Sequence, residues 1–227
     1  MLLLLTHNFR NGGIILLNLS LETLLYILPA IIIALTFHEL SHGYAAYMLG
    51  DVTAKNDGRL SLNPLKHIDP IGLIFIAIVG FGWAKPVMVN PNNLRNPKKD
   101  MAIISMAGPL MNILLSILFF IIHLLLIYNF NAPMFLRGFI QVCRDINLVL
   151  AIFNLLPIPP LDGSKVLGSL LPDSIYNKVV MYNPMVGMAI LMALMFTGAL
   201  SRIIVPAVDA MLSLYFHGAE VILSFFS

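Results

Sequence analysis

Long apolar runs constrain the fold of this chain more than any other feature of its sequence. Several of them approach the ~20 residues that an α-helix needs to cross the hydrocarbon core of a bilayer. Of the 227 residues, 59% are hydrophobic and only 11% are charged, whereas a soluble domain carries roughly 25% charged residues. The same balance excludes a disordered chain, which combines low hydrophobicity with high charge. The sequence therefore predicts an integral, multi-pass membrane protein.

The apolar runs predict an all-α polytopic protein with about four to six transmembrane helices in a single membrane-embedded domain over residues 1–227. The first helix runs from about Leu21 to Leu49, and Gly50 is its expected terminator. Three further spans and a last segment that either spans or lies along the interface are predicted at about residues 101–128, 145–171, 183–204 and 206–226. The apolar run 71–82 is too short for a straight span and predicts a re-entrant or strand-like insertion.

The distribution of basic residues predicts the orientation of the chain. Residues 50–100 hold seven of the thirteen Lys and Arg residues, so the positive-inside rule places this stretch and the nearby end of the first helix on the cytoplasmic side. The formal net charge is only +2, which gives no reason to expect nucleic acid as a partner. A single cysteine, Cys143, excludes an intramolecular disulfide and a CxxC metal or redox site.

The first predicted helix contains His38-Glu39-Leu40-Ser41-His42 near its end. Residues four positions apart share one face of a helix, so His38 and His42 can bind the same ion. Glu39 lies beside them, in the position of a general base toward a water molecule. The alternative is a set of polar residues unconnected with metal, but ionisable side chains at membrane depth are costly and usually functional. The motif therefore predicts a zinc hydrolase site.

A catalytic zinc site usually has three protein ligands and an open position for water. Most acidic residues of the chain fall in polar loops, but Asp162 follows the proline-rich stretch 157–160 inside a predicted span. Broken backbone at this depth is tolerated only where it is buried in protein or lines a wet cavity. Asp162 is therefore the favoured third ligand and Asp209 the next candidate. Capping of a short helix at 163–171 is the alternative role of Asp162, and it does not exclude ligation.

Six short stretches of the sequence can be compared with the motifs of a known protein family, in which they occur in the same order. They are HELSHG at 38–43, LGD at 49–51, GRLSLNP at 58–64, GFGWAKPV at 80–87, AGPLMN at 107–112 and NLLPIPPLDG at 154–163. Together they resemble the site-2 protease family of intramembrane zinc metalloproteases, and particularly its compact prokaryotic members without PDZ or CBS domains. The resemblance covers roughly residues 30–170 and leaves the two ends of the chain without a family motif.

The resemblance implies a catalytic core of three helices within about residues 21–171. One helix carries HExxH, one carries Gly-Pro-x-x-Asn, and one ends in the aspartate ligand. It implies that His38, His42 and Asp162 bind one zinc ion, while Glu39 activates water for hydrolysis.

The resemblance also implies a set of residues that contact the substrate. Asn154, eight residues before the aspartate, is expected to contact the substrate or its oxyanion and is counted as catalytic. The small membrane-associated β-like loop is expected to bind the substrate through Gly80, Phe81, Gly82 and Trp83. An interfacial turn with Trp83 is the alternative for this loop. Asn112 is a further candidate for substrate binding, and a hydrogen bond between helices is its alternative role.

The predicted function is therefore hydrolysis of peptide bonds within or near transmembrane segments, by an enzyme of a prokaryotic cell membrane whose partners are its membrane-protein substrates and the lipid bilayer. One rival is a membrane zinc protease that cuts soluble or lipidated substrates. Such enzymes usually take a glutamate as third ligand, and Glu22 and Glu220, which remain, lie in no matching motif. A second rival is a metal transporter or an inactive relative, although a transporter is expected to carry several intramembrane acids or histidines along a path.

Overall fold

The computed structural model of the chain is mostly helical in the residues that it describes, 21–72, 74, 82–128, 132–175 and 184–224. Its main helices are α1 (Leu21–Met48), α2 (Pro97–Tyr128), α3 (Met134–Asn154), α4 (Asp162–Ser169), α5 (Pro184–Phe196) and α6 (Ala199–Ser224). Single helical turns lie at Thr53–Asn56, Pro64–Lys66 and Pro91–Asn93. This part of the chain contains no named strand. The predicted all-α class is confirmed.

Three helices are long and apolar enough to cross a membrane, over Thr23–Met48, Pro97–Tyr128 and Ala199–Ile222. The outward side of α2 carries an exposed stripe formed by Leu110, Leu114, Leu118, Ile121 and Leu125. These positions recur every three or four residues and therefore share one face of the helix. A helix that is apolar on its outward face as well as its inward face is typical of a membrane span. The chain is accordingly a polytopic helical membrane protein.

Two more helices bear on the expected four to six spans. The 21-residue helix α3 includes Arg137, Arg144 and Asp145. Helix α5 has only 13 residues, all apolar except Pro184 and Gly187. Neither meets the length and composition of a span by itself. Three spans are therefore supported within the described part of the chain, and a larger number stays a prediction.

The end of α1 follows from Gly50. Its φ of +105° lies in the left-handed region, which glycine adopts without the steric cost that a side chain would bring. The N–H of Gly50 donates to the carbonyl of Tyr47, and the N–H of Asp51 donates to the carbonyl of Ala46. This pair of bonds is the Schellman motif, which satisfies carbonyls at a helix end. The predicted terminator is confirmed, and Asp51 is attached directly to the end of α1.

Several predicted helix boundaries are wrong. Helix α2 begins at Pro97 rather than near 101, because Asn96 caps it by accepting from the N–H of Lys99 at 3.3 Å. Helix α3 begins at Met134 rather than near 145, since apolarity alone cannot detect a helix start that carries charge. The span expected over 183–204 is interrupted at Gly198, whose φ of +69° ends α5 before α6 begins.

The helices α1, α2 and α3 pack against one another, and α6 packs against α3. The α1–α3 contact buries Ile27, Ala30, Val142 and Cys143. A larger apolar cluster joins the end of α3 to α5 and α6 through Leu148, Leu156, Leu161, Leu191, Leu200, Ile204, Val208 and Leu212. One expectation about this core needs correction, since Asp162 does not end the third helix. It begins the separate helix α4, after the break at 155–161.

The insertion predicted over 71–82 lies largely outside the described residues, which exclude 73 and 75–81. Beside it, Ile68 and Ala84 form one isolated antiparallel bridge. The N–H of Lys85 then donates to the carbonyl of His67 at 2.9 Å. The C-terminal edge of the loop is therefore attached to the segment that follows the Pro64–Lys66 turn. The described residues at its other edge, 70–72 and 74, are helical.

Candidate metal site

The two histidines of α1 lie on one face of the helix, as their spacing predicts, with ring centroids 4.6 Å apart. His38 is 4% exposed and His42 is 8% exposed. Nδ1 of His42 donates to the carbonyl of Ile104, on α2, at 2.7 Å. Nδ1 of His38 lies 2.5 Å from Oδ1 of Asn112, also on α2. Helix α2 therefore orients both rings through hydrogen bonds at their Nδ1 atoms.

The amide of Asn112 is itself fixed by two bonds. Its Nδ2 donates to the carbonyl of Ala34 at 3.1 Å and to Oδ1 of Asn147 at 2.8 Å. Its Oδ1 must therefore be the atom that accepts from His38, and the proton of His38 resides on Nδ1. The same holds for His42, because a carbonyl oxygen only accepts. In the neutral imidazoles, both Nε2 atoms consequently present a lone pair toward Asp162.

Asp162 completes a group of three potential ligands. Its Oδ2 lies 3.2 Å from Nε2 of His38 and 3.1 Å from Nε2 of His42, and one ligand atom from each residue lies within 4.8 Å of the others. With both imidazoles neutral, two nitrogen lone pairs and a carboxylate oxygen are all acceptors, and a cation between them would satisfy all three in this buried site. This donor set, with imidazole and carboxylate, is one that zinc accepts. The site residues therefore fit a bound zinc ion.

The capping role considered for Asp162 is not the one that the structure displays. The N-cap of α4 is Leu161, and Asp162 is the first residue inside the helix. Its Oδ2 faces the two histidines, while its Oδ1 lies 3.7 Å from Nζ of Lys165. Asp209, the next candidate for the third ligand, lies on α6 and is exposed. The structure thus brings Asp162, and not Asp209, to the two histidines.

Gly108 provides the space for an ion in front of the rings. A Cβ atom added at this position would lie 2.5 Å from Nε2 of His42 and 2.6 Å from Nε2 of His38. Real Cβ atoms essentially never approach so closely. The absence of a side chain beyond hydrogen at Gly108, in the AGPLMN stretch, therefore leaves open the volume next to both Nε2 atoms.

Glu39 lies between the metal-binding group and a loop segment. It is 9% exposed, and its Oε2 accepts the main-chain N–H of Val87 at 2.9 Å. A carboxylate has two oxygens, so Oε1 remains as the second acceptor. Its place next to His38 and His42 is the one that the sequence motif predicts for a general base.

The residues predicted to contact a substrate are distributed differently. Gly80 and Phe81 lie outside the described residues, so the expectation for them stays a prediction. The indole of Trp83 donates to Oδ2 of Asp69 at 3.1 Å, and Gly82 precedes it in the C-terminal edge of the loop. Asn154 is the last residue of α3, and its Nδ2 donates to the carbonyl of Leu150 at 3.0 Å.

Asn112 is fully buried and bonded to His38, Ala34 and Asn147. The hydrogen bond between helices that was its alternative role is therefore present. Substrate contact by Asn112 stays a prediction.

Sequence reasoning missed a buried ion pair on α3. Arg144 is 5% exposed and Asp145 is fully buried, and Nη2 of Arg144 lies 2.6 Å from Oδ1 of Asp145. The signal was two adjacent charges inside an apolar stretch, which at membrane depth indicates pairing. The contacts of Asp51 with the segment 90–93 were not predicted either, because a loop aspartate next to a helix end resembles an ordinary turn residue.

Sequence comparison with known proteins assigns the chain to a family. The model of peptidase family M50 matches residues 127–194. A Bacillus subtilis protein, "Putative zinc metalloprotease YwhC", is 37% identical over 208 residues, which cover 89% of this chain and 91% of that protein. The chain belongs to peptidase family M50, the site-2 protease family.

More distant M50 relatives match parts of the chain. "Putative zinc metalloprotease MJ0611" of Methanocaldococcus jannaschii is 32% identical over 66% of this chain and 73% of its own length. "Putative zinc metalloprotease Rip2" of Mycolicibacterium smegmatis is 31% identical over 58% of this chain and 52% of its own length. No solved structure gives a significant match to the chain. The family and the apolar helices together support a membrane protein of the zinc metalloprotease type.

Proposed function

We propose that this M50 protein is an intramembrane zinc metalloendopeptidase, which hydrolyses peptide bonds within or near transmembrane segments of membrane proteins. The observation that carries the proposal is the convergence of His38, His42 and Asp162, whose ligand atoms lie within 4.8 Å of one another. Two of these residues lie on a helix that is apolar enough to span a membrane, and Glu39 lies beside them. A hydrolytic site at this place supports cleavage at membrane depth.

The proposed division of labour follows from the donor atoms. Nε2 of His38, Nε2 of His42 and Oδ2 of Asp162 would hold one zinc ion. When bound, zinc supplies a Lewis acid that acidifies water and polarises a carbonyl group. Glu39 accepts the proton of the attacking water and passes it to the leaving nitrogen. Asn112 and Ile104 keep the two imidazoles in the tautomer that leaves Nε2 free.

The proposed substrate contacts come from elements around the metal-binding group. A peptide bond inside a helix is shielded from water, so a transmembrane substrate must unwind locally before it is cut. The loop that contains Gly80, Phe81, Gly82 and Trp83 would hold the unwound segment by adding it as a strand. Asn154 uses one of its two amide hydrogens on Leu150, which leaves the other for a substrate carbonyl oxygen.

The proposed setting is a prokaryotic cell membrane with residues 50–100 in the cytoplasm. Seven of the thirteen basic residues fall in this stretch, which supports the orientation through the positive-inside rule. His38 and His42 lie in the half of α1 that leads into this stretch, since α1 ends at Met48. The metal-binding group is therefore proposed to face the cytoplasmic side.

The test uses the purified full-length protein, loaded with zinc and reconstituted into vesicles. One arm contains a single-span membrane protein as substrate, and the other contains an unstructured soluble peptide of the same cleavage sequence. The proposal predicts zinc-dependent cleavage of the single-span substrate at a site within or next to its span, with loss of cleavage after chelation. Mass spectrometry of the products locates the cut.

Each alternative gives its own result in this experiment. Cleavage of the soluble peptide with the membrane substrate left intact would support a membrane protease for soluble substrates. Zinc binding without any hydrolysis, together with zinc uptake into the vesicles, would support a transporter. Zinc binding with neither activity would indicate an inactive relative.

A further inference from the structure

Residues 85–90 form a non-helical segment, here called the strap, that contacts Glu39 in the C-terminal half of α1 and Asp51 just after the end of this helix. The first residue of the strap, Lys85, is attached by its N–H to the carbonyl of His67, and the guanidinium of the buried Arg59 donates to its carbonyl. In the middle of the strap, the N–H of Val87 donates to Oε2 of Glu39 at 2.9 Å. The strap therefore contacts the proposed general base through main chain rather than through a side chain.

The last residue of the strap is attached to Asp51. Oδ2 of Asp51 accepts the N–H of Asn90 at 2.8 Å, and Oδ1 accepts from Nδ2 of Asn93 at 2.8 Å. The same Oδ1 accepts from the N–H and the hydroxyl of Thr53, at 3.1 and 2.6 Å. Asp51 is fully buried, and its own N–H donates to Ala46 in the last turn of α1. The four bonds that its carboxylate accepts make Asp51 the anchor of this end of the strap.

The pKa of Asp51 is consistent with its role as the anchor of the strap. Burial acts to raise the pKa of Asp51, but hydrogen bonds from Thr53, Asn93 and Asn90 outweigh burial and hold its pKa below the usual range. The carboxylate is thus ionised at neutral pH, and hydrogen bonds to an ionised acceptor are roughly twice as strong as neutral ones.

Two carboxylates, Glu39 in the C-terminal half of α1 and Asp51 just after its end, therefore hold the same strap. Glu39 accepts from Val87, and Asp51 accepts from Asn90, three residues further on. The strap also lies against the helix between these points, since a Cβ at Gly43 would be 3.6 Å from Cγ1 of Val87. The position of the Val87 N–H relative to α1 is therefore fixed by two hydrogen bonds. One is its own bond to Glu39, and the other joins Asn90 to Asp51, three residues further along the strap.

We propose that Asp51 is a positioning residue for the general base, and that it acts through the strap by holding the Val87 N–H against Oε2 of Glu39. This proposal rests on the function proposed above, because it assigns Glu39 to proton transfer. With Oε2 engaged, Oε1 is the oxygen that faces the water to be activated. Holding a catalytic group in one geometry lowers the barrier, and a misplacement of about 1 Å can cost on the order of 100-fold in rate.

The main test compares Asp51→Asn with Asp57→Asn in the zinc-loaded, full-length protein. Asp57 is an exposed aspartate of the same loop and serves as the matched control. Asp51→Asn replaces the acceptor by an amide and loses the charge that strengthens the bond to Asn90. We expect kcat per bound zinc to fall about tenfold or more, with KM and zinc content within about twofold of the wild type. Asp57→Asn should match the wild type in all three quantities.

A second pair of variants tests the route through the strap. Val87→Pro deletes the N–H that contacts Glu39, while Val87→Ala keeps this N–H and is the matched comparison, so kcat should fall further in Val87→Pro than in Val87→Ala. Val87→Pro should lower kcat as Asp51→Asn does. Because both changes act on one contact, the double variant should be no slower than the slower single variant, within about twofold.

The outcomes separate the two proposals. If the zinc-loaded wild type cleaves no substrate, the proposed function fails and the positioning role fails with it. If the wild type cleaves and Asp51→Asn retains its kcat, the positioning role alone is wrong. A loss of zinc or a rise in KM without a change in kcat would also overturn it, as would losses that multiply in the double variant. Should Asp51→Asn not fold, the comparison of Val87→Pro with Val87→Ala decides the question.

Discussion

Nδ1 of His38 lies 2.5 Å from Oδ1 of Asn112, across the contact between α1 and α2. Because the amide nitrogen of Asn112 donates to Ala34 and Asn147, its Oδ1 is the acceptor of this bond and His38 is the donor. It places the free lone pair of His38 on Nε2, which faces Asp162. One buried amide thus connects the packing of three helices with the chemistry of the metal-binding group.

Replacing Asn112 by alanine should weaken zinc binding. The change removes the acceptor that orients His38, and loss of such a supporting bond typically costs about 10–100-fold in metal affinity. Competition with a chelator measures the affinity, and Asn92→Ala, at an exposed loop position, is the control. If Asn112→Ala instead raised KM and left zinc affinity unchanged, Asn112 would act on the substrate, as the sequence alone also allowed.

Glu39→Gln should leave zinc bound and stop hydrolysis. The three ligands are retained, and the glutamine oxygen can still accept the N–H of Val87, but the side chain can no longer take a proton. General-base catalysis typically contributes about 10²–10⁴-fold, so less than about a hundredth of the wild-type rate is expected. Zinc content and single-turnover cleavage are measured on the same sample. A variant with more than a tenth of the wild-type rate would exclude Glu39 as the base.

Gly108→Ala should abolish zinc binding while the helices remain folded. The added methyl group would lie 2.5 Å from Nε2 of His42 and 2.6 Å from Nε2 of His38, in the space that an ion at ~2.0–2.1 Å from each nitrogen requires. Gly218→Ala is the control, since a Cβ there meets nothing within 4 Å. Elemental analysis of both variants, with circular dichroism for helix content, checks the prediction. Full zinc occupancy in Gly108→Ala would place the ion elsewhere.

The metal-binding helix could be predicted from the sequence because its features are local. His38 and His42 share a face through helical periodicity, and Gly50 ends the helix through a property of its own backbone. Asp162 could be proposed as well, since prolines at membrane depth indicate a buried or wet break in the helices. These inferences need no knowledge of how the helices pack.

The support around the site could not be predicted in the same way. Asn112 reaches His38 across 74 positions of sequence, and Val87 reaches Glu39 across 48. Each contact depends on the docking of α2 or of the strap against α1, which no local pattern specifies. The starts of α2 and α3 do not follow from apolar runs, because α2 begins in the charged sequence PKKD and α3 carries Arg137, Arg144 and Asp145.

The anchor at Asp51 predicts a specific dependence of stability on pH. Its pKa is lower in the folded protein than the ~3.9 of an unfolded chain, so the unfolded state binds more protons in this range and stability rises with pH. The stabilisation is present above about pH 4 and is lost as the pH falls through the lower folded-state pKa. The difference in Tm between wild type and Asp51→Asn should therefore shrink below pH 4. A difference that stays constant down to pH 2 would contradict this role of the charge.

The identity of the third ligand gives the sharpest test of the site. His38 and His42 alone would leave the metal weakly held, and Asp162 is the acid whose Oδ2 lies 3.1–3.2 Å from both Nε2 atoms. A buried carboxylate without a cation would be costly at this depth, whereas a bound metal stabilises its ionised form. Asp162→Ala should therefore lose zinc and proteolysis together. Asp209→Ala should lose neither, because Asp209 is exposed on α6.

Zinc per protein is measured by elemental analysis on both purified variants, beside cleavage of the single-span substrate. Asp162→Asn separates charge from shape, since asparagine keeps the shape of the side chain but carries no charge. If charge and ligation are what Asp162 contributes, the asparagine variant should bind zinc far less tightly than the wild type. If Asp209→Ala loses metal while Asp162→Ala retains it, the ligand set His38, His42 and Asp162 is wrong, and the hydrolytic site proposed from it must be reassigned.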